Sequence, residues 1–152
     1  MLVALPQPIN FAPQHHYVVQ SALRQLERWV RTAQAPPHAP ALKLAEGGAP
    51  ILVTDEYGLA EGGVRTPWVD VPTARLSGVE SMVGVGVPFD TATLESLYPG
   101  GISEYLERFE ASLDESIEAG FIVPDDKAEI MGLAALSFTS FSGTTGSTDP
   151  KN

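Results

Sequence analysis

Apolar residues recur with the period of an α-helix between residues 13 and 33. At about 100° per residue they fall within one face about 140° wide. The members of this face are Val18, Val19, Ala22, Leu23, Leu26, Trp29, Val30 and Ala33. Pro13 suits the first helical position. The pattern predicts a helix of about 20 residues, about 30 Å long, and so broad an apolar face must pack against something large.

The middle of the chain is predicted to consist of a linker and several short extended segments. "QAPPHAPA", residues 34–41, predicts a semi-rigid, polyproline-like linker. Short apolar runs on both sides of "DEYG", 55–58, predict a hairpin. "VGVGVP", 83–88, predicts a further extended segment loosened by its glycines.

The stretch "GGVRTPWVDVPTARLSG", 62–78, combines strand-forming residues with two prolines, which is typical of an edge strand or an extended arm. Its simplest interpretation is a segment that packs Trp68 into a core. Arg65 and Asp70 then pair with each other or with a partner surface, and contact with a ligand is the alternative. The apolar residues expected beside Trp68 are Val64, Val69 and Val71.

Three helices are predicted in the last third. Asp90 or Thr91 caps a short one, which the Pro-Gly-Gly at 99–101 ends. Ser103 opens a longer helix that stops at Gly120. One side of this helix is apolar, through Ile102, Tyr105, Leu106, Phe109, Leu113 and Ile117. The other side is acidic, through Glu104, Glu107, Glu110, Asp114, Glu115 and Glu118.

The third helix is expected to begin at a cap formed by Asp125 and to bury Ile130, Leu133 and Ala134. From Ser137 the composition becomes polar and predicts a disordered tail. The chain is therefore expected to be α+β, in four parts. These are a core-type helix (1–34), a Pro/Gly-rich linker with short strands (35–89), a helical extension (90–136) and the tail (137–152).

Charge and composition exclude several classes of function. The formal net charge is −10, and residues 76–152 carry the whole imbalance. An acidic half repels phosphate backbones and anionic lipid, which argues against nucleic-acid and membrane-surface binding. No apolar run reaches the ~18 residues of a spanning helix. The absence of cysteine removes disulfides and thiolate metal sites.

Histidines are the first candidates for chemistry, and they are few. His15 and His16 lie in the first turn of the first helix, and His38 lies in the linker. Adjacent helical residues point about 100° apart, so His15 and His16 do not easily share a metal, which needs i, i+4 spacing. Structural or solvated roles are the simpler interpretation for all three.

No serine has the setting of a nucleophile, since G-x-S-x-G does not occur in the sequence. Ser103 is better explained as a helix cap, and Ser140 and Ser142 fall in the expected tail. The carboxylates along the long acidic helix are the solvated face of an amphipathic helix rather than a cation site. The residues thus predict no catalytic, cofactor-binding or metal-binding position.

Three blocks in this order resemble the C-terminal part of an α/β-hydrolase-domain family of large bacterial esterase-like proteins. The blocks are "INFAPQHHYVVQSALRQLERWVRTAQAPPHAPAL", "GGVRTPWVDVPTARLSG" and "PFDTATLESLYPGGISEYLERFEASLDESIEAGFIVPDDKAEI". The resemblance covers roughly residues 8–135. The "GG-V-R-T-P-W-V-D-V-P" run is its most specific motif.

The resemblance implies that the nucleophile and its acidic partner lie upstream of this region and that the triad histidine falls at or before Met1. No family catalytic residue can therefore be placed on this chain, and His15 and His16 belong to the helix-opening motif. In such a fold the last helix lies on a central sheet that this sequence does not encode. "VGVGV" departs from the more polar turn expected before "PFD", which puts ligand contacts at 83–88 in doubt.

The expected function is that of a C-terminal segment of an ester-hydrolase-like protein, structural and pocket-shaping, without turnover of its own. Its expected partner is an N-terminal α/β-hydrolase core. The alternative is a free-standing, non-enzymatic assembly module that dimerises or docks through the helix at 13–33.

Overall fold

The structure is a computed structural model that describes residues 7–8, 14–47, 51–77 and 85–142. Its helices are α1 (Gln14–Thr32), α2 (Pro67–Asp70), α3 (Thr91–Leu97), α4 (Gly101–Glu118) and α5 (Lys127–Ser142), and its strands are β1 (Gln7–Pro8), β2 (Ala74–Ser77) and β3 (Val85–Pro88). The strands form one antiparallel sheet in the order β1-β3-β2. The α+β class is confirmed.

The core is centred on the apolar face of α4. Tyr105, Phe109 and Leu113 are at most 1% exposed, as the i, i+4 spacing of apolar residues predicts. Ile130 and Ala134 of α5 pack into the same cluster and are fully buried. Ile102, Leu106, Ile117 and Leu133 border it and are partly buried. These assignments from the sequence are confirmed.

The starts and ends of α3 and α4 are set by short-range hydrogen bonds. Asp90 caps α3 as predicted, because its carboxylate accepts the Thr93 N–H at 2.8 Å. Ser103 does not open α4; the helix begins at Gly101, and the Glu104 carboxylate accepts the Gly100 N–H at 2.6 Å. Gly120 follows the helix with φ +80°, the left-handed geometry that favours glycine at a helix end.

The 62–78 segment is not an extended arm throughout. Residues Pro67–Asp70 form the helical turn α2, where a proline is tolerated because the first helical N–H needs no intrahelical partner. Only from Ala74 does the chain become the strand β2. Trp68 is 6% exposed and lies in the core, as expected. Val64 does not, since 36% of it is exposed.

The hairpin predicted at 55–58 is present. The Asp55 N–H donates to the Leu59 carbonyl at 2.9 Å, and Gly58 takes φ +77°. The Asp55 carboxylate also accepts the Tyr57 and Leu59 N–H groups. Nearby, three extended segments are joined by cyclic backbone hydrogen bonds. The Lys43 N–H donates to the Glu61 carbonyl, the Glu61 N–H to the Val53 carbonyl, and the Val53 N–H to the Lys43 carbonyl.

The last helix differs from its prediction at both ends. Asp125 lies in a 3₁₀ turn, Pro124–Asp126, that precedes α5, and its carboxylate pairs with Arg24 instead of capping the helix. The disordered tail expected from Ser137 is wrong up to Ser142, because α5 continues to that residue. Phe138 is 7% exposed and stacks on Tyr105 at 4.9 Å between ring centroids. A core aromatic therefore holds this last part of α5. Residues 143–152, the rest of that prediction, lie outside the described residues.

Candidate docking face and adjoining cavity

Helix α1 contacts its own chain through one narrow side. Tyr17 and Ser21 are each 2% exposed. The Tyr17 ring stacks on Trp68, and Ser21 Oγ donates to the Gly120 carbonyl at 2.7 Å. At the start of the helix, Thr66 Oγ1 donates to Gln14 Oε1 at 2.5 Å. These contacts tie α1 to the 62–78 segment and to the end of α4.

The rest of this side is polar. Arg24 pairs with Asp125 at 3.1 Å, and Gln25 Nε2 donates to the Gly120 carbonyl at 3.4 Å. Exposed ion pairs of this kind contribute about 0–1 kcal/mol each. Helix α1 is therefore held by one buried aromatic ring and several weak polar contacts.

The apolar face of α1 points away from these contacts into solvent. With about 100° per residue, its centre lies roughly 140° around the helix from the side marked by Tyr17, Ser21 and Gln25. Its exposed members are Val19 (42%), Leu23 (62%), Leu26 (49%), Trp29 (47%) and Val30 (80%). These five residues are called the α1 stripe below. The large apolar partner predicted for this face does not come from the described part of the chain.

Burial changes the acidity of the tyrosine that anchors α1. The pKa of Tyr17 is raised to about 12, mainly because the ring is buried. The adjacent Glu129 carboxylate, which accepts a hydrogen bond from the Tyr17 hydroxyl, raises this pKa further. Burial likewise raises the pKa of Tyr98 and of Tyr105. All three phenols are thus neutral over the physiological pH range, as buried packing groups.

A cavity of about 250 Å³ opens between α4 and the loop that leads into α2. It is lined by Pro40, Gly62, Gly63, Arg65, Asp70, Ser112, Glu115, Ser116, Ala119 and Phe121. The loop wall depends on glycine: Gly62 has φ +84°, and a Cβ there would lie 2.2 Å from the Ala41 carbonyl oxygen. The motif singled out in the sequence thus supplies one wall of this cavity.

Arg65 holds that wall in place. Its guanidinium pairs with Asp70, as the sequence suggested, and lies 4.0 Å from the Asp55 carboxylate. Its Nη1 also donates to the Ala60 carbonyl at 2.9 Å. The positive charge is therefore already matched by carboxylates of the protein itself.

Two serines of α4 face the cavity and differ in their bonding. Ser116 Oγ donates to the Arg65 carbonyl at 3.3 Å. Ser112 is 8% exposed, and its Oγ has no hydrogen-bond partner among the described residues. An unpaired buried hydroxyl costs about 1–3 kcal/mol. Sequence reasoning missed Ser112, because only the fold brings the 62–70 loop against this turn of the helix.

The candidates for chemistry drawn from the sequence are not brought together. His15, His16 and His38 are all exposed, and no group of three or more His, Cys, Asp or Glu suited to a metal ion occurs in the described ranges. Ser103 is exposed on the first turn of α4. Ser140 and Ser142 belong to α5 rather than to a tail. Glu115 of α4 lines the cavity, whereas Glu110 and Asp114 lie on the outer side of the helix, where Lys127 contacts them at 3.0 and 2.6 Å.

The sequence matches the family described as alpha/beta hydrolase domain over residues 3–132. The chain belongs to this family. The match contains α1, the 62–78 segment, the cavity and α4, so the resemblance carried by the three sequence blocks is confirmed. No curated protein and no solved structure gives a significant match. Among the described residues, no helix is both long and apolar enough to cross a membrane.

Proposed function

We propose that this chain is a docking segment of an α/β-hydrolase-like ester hydrolase. It packs against the hydrolase core through the α1 stripe and shapes one wall of the substrate pocket. The core carries the Ser-His-acid machinery of acyl transfer. The segment itself has no nucleophile and no turnover.

The observation that carries this proposal is that the α1 stripe faces solvent. A helix normally turns its apolar face to its own core, whereas α1 exposes Leu23 and Val30 by 62% and 80%. Burying an apolar side chain of this size stabilises a complex by about 1.5–3 kcal/mol when it is fully removed from water. Five such residues in one row therefore favour a large apolar partner, and family membership favours a hydrolase sheet as that partner.

The test uses a family member whose chain contains a hydrolase core followed by a segment that matches this one. The hydrolase core of that protein is co-purified with the present chain. Wild-type chain is expected to form a one-to-one complex. Leu26→Gln, in the middle of the stripe, is expected to weaken it at least tenfold. Glu27→Gln is the matched control, because it puts the same side chain at the adjacent exposed position, outside the stripe. Equal weakening by both variants contradicts the proposed face.

Self-association is the competing outcome, since the same stripe could be covered by a second copy. Light scattering of the purified chain separates the two possibilities. A tight dimer that Leu26→Gln dissociates, together with no binding to the core, overturns the proposal in favour of an assembly module.

The absence of turnover is tested with p-nitrophenyl esters of short acyl chains. The isolated chain is expected to give only the background rate. A rate well above background that a serine-directed phosphonate abolishes contradicts the assignment of the nucleophile to the core.

A further inference from the structure

The cavity between α4 and the 62–70 loop has features that docking through α1 does not use. Ser112 Oγ is buried on its wall and has no protein partner among the residues described. Other buried or part-buried serines, Ser21, Ser116 and Ser137, each donate to a backbone carbonyl. Buried polar groups as a rule have a partner. Ser112 therefore has hydrogen-bonding capacity left for a group that enters the cavity from outside.

The charge around the cavity favours a cation. Arg65 is the one guanidinium among the residues that line the cavity, and its charge is matched by the Asp70 carboxylate with which it pairs. Glu115 adds a second carboxylate to the lining and is exposed. One positive charge against two negative ones leaves the lining anionic. Such a site attracts cations and repels carboxylates and phosphates.

The size and the remaining walls restrict the ligand further. At about 250 Å³, the cavity lies below the ~300–1,000 Å³ typical of drug-sized ligands. Phe121, Ala119 and Pro40 give it apolar surface beside the polar groups. A short aliphatic chain that ends in a hydrogen-bond donor matches this combination.

We infer that the cavity binds a small primary alkylammonium ion. The ammonium donates a hydrogen bond to Ser112 Oγ and lies near the Glu115 carboxylate, while the alkyl chain packs against Phe121. No bond is made or broken, so the site is a binding site without chemistry of its own. This inference does not depend on the docking of α1.

The experiment titrates the isotope-labelled chain with n-butylammonium chloride at pH 7, against sodium chloride at equal ionic strength, and follows the backbone amide signals. The amine is charged at this pH, since an alkylamine has a pKa of about 10.4. Millimolar binding is expected, with shifts confined to residues 62–70 and 112–121. n-Butanol and n-butyrate are expected to shift these signals far less.

Three variants assign the contacts. Ser112→Ala is expected to weaken binding roughly tenfold through loss of a hydrogen bond to a charged group, with an unchanged or higher melting temperature. Glu115→Gln is expected to weaken it about two- to fivefold, as for an exposed ion pair. Glu107→Gln, on the same helix but outside the cavity, is the control and is expected to change nothing.

Each contrary result overturns the inference. Equal binding of n-butanol shows that charge plays no part. The absence of localised shifts with any of the three compounds shows that only water occupies the cavity. Unchanged affinity in Ser112→Ala removes the hydroxyl from the site, and equal losses in Glu115→Gln and Glu107→Gln indicate attraction by the acidic helix as a whole.

Discussion

The rings of Tyr17 and Trp68 lie parallel, with an interplanar angle of 6° and centroids 5.8 Å apart. Trp68 in turn meets Phe109 edge-on, at 5.5 Å and 85°. This column of three rings runs from α1 through the 62–78 segment to the centre of α4. The most specific sequence motif of the family resemblance thus places its tryptophan where it joins the first helix to the core.

Replacing the central ring of this column is expected to destabilise the chain strongly. Trp68→Ala removes a side chain that is 6% exposed, and such changes cost about 3–5 kcal/mol. Urea denaturation followed by circular dichroism measures the loss. The control is Trp29→Ala, because Trp29 is 47% exposed on the α1 stripe and is expected to cost far less. Similar losses at both positions would show that Trp29 also packs within the monomer.

Stability is expected to fall at alkaline pH. The pKa of Tyr17 is raised to about 12 in the folded chain, against ~10 in an unfolded one. Its contribution is therefore complete below pH ~10 and is lost as the pH rises towards 12, at about 1.4 kcal/mol per pH unit. Tyr98 and Tyr105 act in the same direction, since their pKa values are raised too.

Tyr17→Phe isolates one of these contributions. The free energy of unfolding, measured between pH 8 and 11.5, is expected to fall less steeply with pH for this variant than for the wild type. The difference in slope corresponds to at most one ionising group. Parallel curves for the two proteins would mean that Tyr17 titrates normally and is accessible to solvent.

Two glycines are expected to respond oppositely to alanine. Gly62→Ala is expected to destabilise the chain and to disturb the cavity wall, since φ is +84° and the new Cβ would meet the Ala41 carbonyl at 2.2 Å. Gly132→Ala, inside α5 with open space around it, is expected to stabilise by about 0.5–1 kcal/mol. Thermal unfolding measures both. A neutral Gly62→Ala would show that the loop adapts and that its geometry is not fixed.

The end of α5 is tested by a buried and an exposed residue two positions apart. Phe138→Ala is expected to cost about 3–5 kcal/mol, because its ring is 7% exposed beside Tyr105. Leu136→Ala, at a residue 65% exposed, is expected to have little effect on denaturation. Equally small effects of the two substitutions would contradict the packing of Phe138 and support the disordered tail predicted from composition.

Local chemistry made much of the fold predictable. The periodicity of α1 and α4, the Asp90 cap, the Gly120 stop and the Asp55–Gly58 turn all depend on neighbours within a few residues, which a sequence displays directly. One error was itself local, since α4 begins at Gly101 and not at Ser103; other errors arose where a distant contact decided. The prolines of 62–78 predicted an edge strand or an extended arm, yet Pro67 begins a helical turn that carries Trp68 inwards. Phe138 was predicted to lie in a polar tail, but in the structure its ring stacks on Tyr105.

The sequence by itself determined that α1 is a helix with one broad apolar face, because that follows from residue spacing alone. It also determined which sides of the two later helices α4 and α5 are apolar, since their apolar residues repeat with the helical period. Only the tertiary structure decided which side of α1 meets the chain. Ring stacking on Trp68 and bonds to Gly120 orient the helix, and these partners lie far away in the sequence. The same long-range packing placed an unpaired Ser112 hydroxyl against the Arg65 loop, which no local pattern could reveal.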